Sequence, residues 1–290
     1  MTAPLVERLT VAGIGLVGGS LALAVREAGL AREVVGLGRS AENLEVARQR
    51  GLVDRATSDP AAAVRDADVI VLAVPLRSTA AVAERLRPHA RRGAILTDVG
   101  SVKTQIVAAL EARWAAVGAV VGGHPIAGSE ASGAAAARAD LFRGRRCILT
   151  PTTTTDGGAL ARVRTLWEAV GARVEEMSPT THDEILARTS HLPHLVAYAL
   201  AAAVDDLHVD GRAALDYAGT GFRDTTRIAA SPASLWRDVA LLNAPALRAA
   251  LVEFHLALDR IEERLAADDG PGLEAALAAA RAVRQRLGRR

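Results

Sequence analysis

Residues 9–29 read LTVAGIGLVGGSLALAVREAG, an apolar run that passes through a glycine-rich turn into a segment with helical periodicity. The turn contains Gly13, Gly15 and Gly18 in the spacing G-x-G-x-x-G. The first glycine permits a tight turn, the second lets a pyrophosphate approach the backbone at a helix N-terminus, and the third lets helix and strand pack closely. We therefore predict that a dinucleotide contacts the whole turn, at Gly13, Gly15, Leu16, Val17 and Gly18.

The pattern that begins with this turn continues to about Met177. Short apolar runs alternate with amphipathic stretches, in the order EVVGLG, AENLEVARQRG, DVIVLAVP, STAAVAERLRPHA, AILTDVG and VKTQIVAALEARW. This alternation predicts βαβ units and a parallel sheet covered on both faces. Two later runs, RCILTP and RVEEM, are candidates to extend the sheet at its edge. We expect a Rossmann-type, doubly wound α/β domain over residues 1–177.

The character of the chain changes at Ser178. Ser-Pro-Thr-Thr is a helix N-cap followed by proline at the first helical position, and no convincing strand follows it. We predict an all-α domain over residues 178–290, with helices at about 180–205, 225–230, 233–242, 246–267 and 273–287. Alanine and leucine recur at helical spacing in the last two helices, which fits either an internal bundle or a face that packs on a second copy. Of the two we favour a homodimer through the helical domain.

Composition and charge exclude several classes of protein. The 35 basic and 33 acidic side chains give a formal charge of +2, which offers no broad positive field for nucleic acid. The apolar runs fall short of the roughly 20 residues that cross a bilayer, and the first ten residues lack the features of an export signal. A single cysteine, Cys147, excludes an internal disulfide. We expect a cytoplasmic protein with a small-molecule substrate.

The end of the second predicted strand bears on the choice of cofactor. NAD-preferring domains carry an acidic side chain there that binds the ribose 2′-hydroxyl, whereas this chain reads GLGRS over residues 36–40. Arg39 and Ser40 are candidates to hold a 2′-phosphate, so NADP is favoured and NAD is the alternative. The competing interpretation is that Arg39 is a solvated loop residue. Val74 and Pro75, at the end of DVIVLAVP, are further expected cofactor contacts.

Two polar segments follow later strands, where ligands of doubly wound sheets bind. They read DVGSVK over residues 98–103 and GGHPIAGSE over residues 122–130. His124 follows a strand and precedes proline, and we predict that it faces the cleft as a general base. Lys103 is the only lysine of the chain; we include it among the cofactor contacts as a compact charge, although chance placement explains it equally well.

The predicted helical domain carries two further clusters. In the first, Asp183, Ser190 and His194 share one helical face, close to His182, and are expected to face a ligand together. His191 and His194 lack a third ligand at a known spacing, so no metal is assigned. In the second, Arg223 and Arg227 stand four residues apart, an arrangement suited to an anionic ligand. The alternative is a solvated basic face paired with Asp224.

Several segments together resemble the prephenate and arogenate dehydrogenase family of tyrosine biosynthesis. They are DVGSVK, GGHPIAGSE, SPTTHDEILARTSHLPH and GTGFRDTTRIAASPASLW, in the family's order. The resemblance implies that a cyclohexadienol loses hydride to a nicotinamide and then loses carbon dioxide, giving an aromatic product. It implies that His124 is the catalytic base, that Ser101 orients it, and that Arg227 grips a substrate carboxylate. Family members are dimers through the helical domain.

The resemblance also assigns the lining of the substrate pocket. The positions that it implies are Ser129, Glu130, His182, Asp183, Ser190, His194, Arg223 and Trp236. Arg223 departs from the family, because a lysine is common there, and the missing acid at Gly38 departs from the NAD-using pattern. The sequence leaves open whether the substrate is prephenate, arogenate or a 4-amino analogue, and whether tyrosine inhibits.

The sequence leaves two other functions as alternatives. One is a two-domain NADP-dependent dehydrogenase of the β-hydroxyacid type, which needs a catalytic lysine on a helix of the second domain; this chain has no lysine there. The other is a regulatory protein that binds NADP without turnover. His124 and the pair Arg223 and Arg227 argue against it, because a sensor requires neither a base nor a carboxylate clamp.

Overall fold

The computed structural model describes residues 4–128 and 131–287 of the chain. Its main feature is an eight-stranded sheet in the order β3-β2-β1-β4-β5-β6-β7-β8. The strands are β1 (Val6–Ala12), β2 (Ala31–Leu37), β3 (Arg55–Thr57), β4 (Val69–Leu72), β5 (Ile95–Asp98), β6 (Val120–Pro125), β7 (Arg146–Thr150) and β8 (Arg173–Glu176). Strands β1 to β6 are parallel, β7 runs antiparallel to β6, and β8 is parallel to β7. The order and the direction of β1 to β6 are those of a doubly wound dinucleotide-binding sheet.

Six helices cover the two faces of this sheet. They are α1 (Leu16–Glu27), α2 (Ala41–Gln49), α3 (Pro60–Val64), α4 (Thr79–Leu86), α5 (Thr104–Trp114) and α6 (Gly157–Ala169). Fully buried Trp167 belongs to the apolar cluster on one face, and fully buried Trp114 to that on the other. Because both faces are covered, β4 reads as four consecutive buried apolar residues. The predicted doubly wound fold, including edge strands from RCILTP and RVEEM, is confirmed.

The glycine-rich turn has the geometry that its sequence predicts. Gly13 has φ of +99°, and a Cβ at this position would overlap the carbonyl oxygen of Ala73. A Cβ on Gly18 would overlap the carbonyl oxygen of Gly13, so helix α1 lies too close to the turn for any side chain there. Gly15 is the N-cap of α1 and offers no side chain to the first amides of the helix. These amides remain available to an anion.

The second half of the chain is helical, as predicted. Its helices are α7 (Pro179–Leu186), α8 (Leu192–Ala203), α9 (Thr220–Thr226), α10 (Ala233–Leu242), α11 (Ala244–Ala266) and α12 (Gly270–Leu287). Helix α7 begins as expected, because the Ser178 hydroxyl accepts a hydrogen bond from the amide of Thr181 at 3.0 Å. A π-helical segment, Ala187–His191, joins α7 to α8. Such segments are frequent at functional sites.

Three details differ from the prediction. Strand β3 and helix α3 were not predicted, because three and five residues are too few to show a periodicity. A short hairpin, β9 (His208–Val209) and β10 (Arg212–Ala213), interrupts the helical half, where no strand was expected. The helix predicted at 225–230 begins earlier, as α9, and gives way to a 3-10 turn over residues 227–230.

Helices α11 and α12 expose large apolar side chains in the single chain. Val252, Leu256 and Leu265 on α11 are each more than half exposed, as are Leu277 and Val283 on α12. Within the described residues no single helix has the length and apolarity needed to cross a membrane. The pair α10 and α11, which is bent by 95°, meets that criterion only when the two are taken together.

Candidate active site

Two of the predicted segments meet at the carboxyl edge of the sheet. Strands β5 and β6 are neighbours, so DVGSVK, which begins at the end of β5, lies beside His124 near the end of β6. His124 is half-buried, and its Nδ1 lies 2.8 Å from Nε2 of His182 on α7. Its Nε2 has no hydrogen-bond partner among the described residues. The catalytic candidate of the first half of the chain therefore contacts a histidine of the second half.

His182 is in turn held by the residue that follows it. Its Nδ1 lies 2.8 Å from Oδ1 of Asp183, and both side chains are buried. The Asp183 carboxylate accepts hydrogen bonds from the backbone amides of Lys103 and Thr104, each at 2.8 Å, at the N-terminus of α5. The two side chains are enclosed and their polar atoms contact the protein, and the predicted contact with substrate stays a prediction.

Lys103 is likewise enclosed by the protein. Its side chain is fully buried, and its ammonium contacts Oδ2 of Asp98 and donates to the carbonyl of Gly123 at 2.8 Å. Asp98 in addition accepts from the amide of Gly123 at 3.2 Å. The lysine thus joins the end of β5 to the residue before His124. The whole side chain is engaged by the protein itself, and a direct contact with the cofactor stays a prediction.

Ser101 was expected to orient His124. It is half-buried, and no hydrogen bond joins it to His124 in the described part of the chain. The side-chain contact that His124 makes among the described residues is with His182, and the role of Ser101 stays a prediction. The sequence had singled out His182 and Asp183, but nothing in the pattern showed that they meet His124.

Burial and neighbouring charges set the protonation of this group. Burial lowers the pKa of His124 well below its usual value, and the nearby His182, Lys103 and His191 lower it further. Burial likewise lowers the pKa of His182, against the opposing effect of Asp183. Burial alone would raise the pKa of Asp183, but the hydrogen bonds from His182, Lys103 and Thr104 lower it. At neutral pH the site therefore holds two neutral imidazoles and one carboxylate.

The π-helical segment contributes a histidine that the sequence reasoning considered only as a metal ligand. His191 is buried, and its Nδ1 lies 3.0 Å from Nδ2 of Asn243. Asn243 also donates to the carbonyl of Asp183 at 2.8 Å. Burial lowers the pKa of His191 to about 4. Within the described part of the chain, its Nε2 is buried and makes no hydrogen bond of ordinary geometry. Asn243 was not predicted, because a helix-capping asparagine carries no distinctive signal.

Two predicted substrate residues of the helical half, His194 and Trp236, contact each other. The rings of His194 and Trp236 stack with centroids 3.4 Å apart and an interplanar angle of 20°. His194 Nδ1 donates to the carbonyl of Ser190 at 2.9 Å. The pKa of His194 is lowered by burial and by the positive charge of Arg227, which places Arg227 near this ring. Trp236 also neighbours His191, with centroids 6.2 Å apart.

Arg223, also predicted to bind substrate, contacts another part of the helical half. Arg223 is exposed, and its Nε donates to the carbonyl of Ala218 at 3.2 Å. No hydrogen bond or ion pair joins it to the histidines among the described residues. Ser129 and Glu130 lie outside the described residues.

A cavity of about 380 Å³ opens beside the glycine-rich turn, at the carboxyl ends of β1, β2 and β4. The predicted cofactor residues Gly13, Arg39, Val74 and Pro75 line it. Further lining residues include Gly38, Ser58, Arg77, Ser78 and Arg85, and none of the described lining residues is acidic. Ser40 does not line the cavity; its hydroxyl accepts from the amide of Asn43 at 3.2 Å and caps α2. Arg77 pairs with Asp238 of α10, with Nε and Oδ1 2.9 Å apart.

Comparisons with known proteins match both halves of the chain. The family model for the nucleotide-binding domain of prephenate dehydrogenase matches residues 21–176, and the model for its dimerization domain matches residues 178–279. A cyclohexadienyl dehydrogenase of Zymomonas mobilis is 37% identical over 266 residues, which cover 91% of this chain and 90% of that protein. A prephenate dehydrogenase of Bacillus subtilis is 32% identical over 268 residues, covering 92% and 72%.

Solved structures give the same result. The crystal structure of prephenate dehydrogenase from Aquifex aeolicus, in complex with hydroxyphenyl propionate and NAD+, superimposes with a TM-score of 0.92 at 33% identity. The match covers 97% of this chain and 98% of that one. The structure of Synechocystis arogenate dehydrogenase superimposes with a TM-score of 0.86 at 33% identity, covering 97% and 99%.

Proposed function

Because the chain belongs to the prephenate dehydrogenase family, we propose that it catalyses the oxidative decarboxylation of prephenate or arogenate with NAD(P)+. The product is 4-hydroxyphenylpyruvate from prephenate and tyrosine from arogenate, so the reaction belongs to tyrosine biosynthesis. The observation that carries this proposal is the placement of a neutral His124 at the carboxyl edge of the sheet that bears the glycine-rich turn.

The turn fits a dinucleotide. The two positions where a Cβ would overlap backbone, Gly13 and Gly18, keep the turn bare, and the first amides of α1 are free of side-chain caps. When bound, the nicotinamide supplies the hydride acceptor. The residues around the cleft then need only hold the substrate and remove one proton, because formation of an aromatic ring makes the reaction strongly favourable.

His124 and Arg227 divide the work on the substrate. His124 takes the proton of the ring hydroxyl on its unpartnered nitrogen as the hydride leaves, which requires a neutral imidazole. Arg227 binds a substrate carboxylate, for which a guanidinium provides two parallel donors. The charge of Arg227 acts on His194, which stacks on Trp236, so these three are assigned to the same wall of the pocket. We assign Ser190 to the same pocket. Ser101 and Arg223 are assigned to contacts with the bound substrate.

The cofactor proposed is NADP+ in preference to NAD+. Arg39, Arg77 and Arg85 line the cavity beside the turn, and no acidic side chain is among its described lining residues. A ribose 2′-phosphate is a dianion that guanidinium groups bind well, whereas the 2′-hydroxyl of NAD is bound by a carboxylate. Arg39 and Ser40 were both candidates to bind the 2′-phosphate. We keep Arg39 for this role, because the Ser40 hydroxyl caps α2.

We assign residues 1–177 to nucleotide binding and 178–290 to substrate binding and dimerisation. The family model that matches residues 178–279 describes a dimerization domain, and α11 and α12 expose apolar side chains suited to a second copy. Cys147, the only cysteine, is buried and free, which fits a reducing compartment, and the proposal places the enzyme in the cytoplasm.

A spectrophotometric assay tests the proposal directly. Purified protein is supplied with prephenate and then with arogenate, each with NAD+ and with NADP+, and reduced nicotinamide is followed. We expect turnover of at least one substrate and a higher kcat/KM with NADP+. Absence of turnover in all four combinations would refute the reaction, and a clear preference for NAD+ would refute the cofactor assignment.

A further inference from the structure

Three ionisable side chains form a continuous row that starts at the predicted base. His124 Nδ1 and His182 Nε2 are 2.8 Å apart, and His182 Nδ1 and Asp183 Oδ1 are also 2.8 Å apart. The row joins β6 to α7, and both inner members are buried. The reaction proposed above uses only His124, so the two inner residues require a separate explanation.

The direction of the hydrogen bonds follows from the inner end of the row. Backbone amides can only donate, and those of Lys103 and Thr104 donate to Oδ1 and Oδ2 of Asp183. These bonds favour the ionised carboxylate, which is a hydrogen-bond acceptor only. His182 Nδ1 must therefore carry a proton and donate it to Asp183.

The rest of the row is then determined. His182 is neutral, so with its proton on Nδ1 its Nε2 has only a lone pair. His124 Nδ1 must donate to that lone pair, and the unprotonated nitrogen of His124 is Nε2. We propose that His182 and Asp183 are positioning residues, which fix the tautomer and the ring orientation of His124 so that Nε2 is the base. This inference rests on the proposed function only where it refers to turnover.

The charged groups around the row support this direction. Lys103, which is paired with Asp98, and His191 of the π-helical segment both act on His124. The positive charge of Lys103 opposes protonation of His124 and His182 alike. Cys147 on β7 contacts the backbone of His124, and burial raises the pKa of its thiol, which keeps it uncharged. Asp183 and Asp98 act on His182 in the opposite sense, but burial outweighs them and the pKa of His182 stays lowered.

The arrangement has a consequence for the transition state. When Nε2 of His124 takes the proton of the substrate hydroxyl, the ring becomes positively charged while its Nδ1–H still donates to His182. The Asp183 carboxylate, one ring further away, stabilises that charge through His182. The row therefore favours proton uptake at Nε2 of His124 and also stabilises the positive charge that the ring then carries.

The tautomer is measured by NMR on the wild-type protein without substrate. Nitrogen-15 labelling of histidine and two-bond correlation to the ring protons identify which nitrogen of His124 carries hydrogen, with the His124→Asn variant used to assign the signals. At pH 7 we expect protonated Nδ1 and unprotonated Nε2. A proton on Nε2 of His124 would overturn the inference, whether or not the protein turns over prephenate or arogenate. Failure of turnover with the expected tautomer would instead refute the proposed function.

Variants of the inner residues supply the kinetic test. Asp183→Asn offers His182 a donor, which favours the opposite tautomer along the row, and His182→Leu removes the acceptor for His124. We expect each to lower kcat by about 10²- to 10⁴-fold with a smaller change in KM. His182→Gln retains an acceptor oxygen, so its kcat should lie between those of wild type and His182→Leu. The matched control is Glu184→Gln at the next, exposed position of α7, with kcat unchanged.

A purely structural role would have different effects. Asp183 also holds the N-terminus of α5, so its variant is checked by thermal unfolding and by the His124 signals. We expect folded Asp183→Asn protein in which the protonated nitrogen of His124 has changed to Nε2. Wild-type kcat in both His182→Leu and Asp183→Asn would overturn the inference. If Asp183→Asn does not fold, the kcat of His182→Leu and the tautomer of His124 in the wild-type protein decide whether the inference holds.

Discussion

Lys103 and Asp98 form a fully buried ion pair that contacts Gly123, the residue that precedes His124. The pair joins the end of β5 to β6, because Lys103 also donates to the carbonyl of Gly123 and Asp98 accepts from its amide. Lys103 is the single lysine among the 35 lysine and arginine residues of the chain; all the others are arginine. A compact ammonium has three donors on one atom, so it can contact the Asp98 carboxylate and the Gly123 carbonyl at the same time.

Removal of this ammonium should destabilise the protein strongly. In Lys103→Met the Asp98 carboxylate is left buried without its partner, and we expect the free energy of unfolding to fall by about 3–5 kcal/mol. Chemical denaturation measures the change. The double variant Lys103→Met with Asp98→Asn removes both charges and should recover part of the loss. Equal stability of wild type and Lys103→Met would show that the pair contributes nothing.

Substitution of His124 should affect the chemical step more than binding. His124→Asn removes the basic nitrogen at the cleft, and we expect kcat to fall by about 10²- to 10⁴-fold with a modest change in KM. Steady-state kinetics with prephenate and arogenate check this. Wild-type kcat in this variant would exclude His124 as the base.

Substitution of Arg227 should do the opposite. Arg227→Ala removes a charge-assisted bond to the substrate carboxylate, and we expect KM to rise by about 10- to 100-fold. Arg227→Lys keeps the charge without the two parallel donors, so its KM should be intermediate. An unchanged KM in Arg227→Ala would contradict the assignment.

Arg39 should govern the choice of cofactor. Arg39→Ala removes a guanidinium from the cavity beside the glycine-rich turn, so the KM for NADP+ should rise by about tenfold or more while the KM for NAD+ changes little. The control is Arg32→Ala on β2, whose exposed side chain pairs with Glu7 and does not line the cavity. Parallel changes with both cofactors would indicate that Arg39 does not bind a 2′-phosphate.

The sequence predicts most of the fold because local patterns determine it. The G-x-G-x-x-G turn, the apolar runs of β1, β2, β4, β5 and β6, and the proline after Ser178 each act over a few residues. The site is less predictable, because it depends on how α7 docks against β6 and α5. His124 and His182 are 58 positions apart, and the segment between them contains no pattern that reports their contact. The burial of Lys103 is equally hidden, since its motif indicates only that polar atoms follow a strand.

The buried histidines should make the stability of the protein depend on pH. The pKa of His191 is about 4 in the folded chain, mainly because of burial, against an ordinary value of 6.5 when unfolded. Between these values the unfolded state binds a proton that the folded state does not, so stability falls as pH falls from 6.5 towards 4. This residue alone corresponds to a loss of about 3 kcal/mol when the transition is complete. His191→Gln keeps an acceptor for Asn243 but does not titrate, so its unfolding free energy, measured by denaturant titration across this range, should vary less with pH than that of wild type. An identical pH dependence in the two proteins would show that His191 is not the neutral, buried group that the structure places beside Asn243.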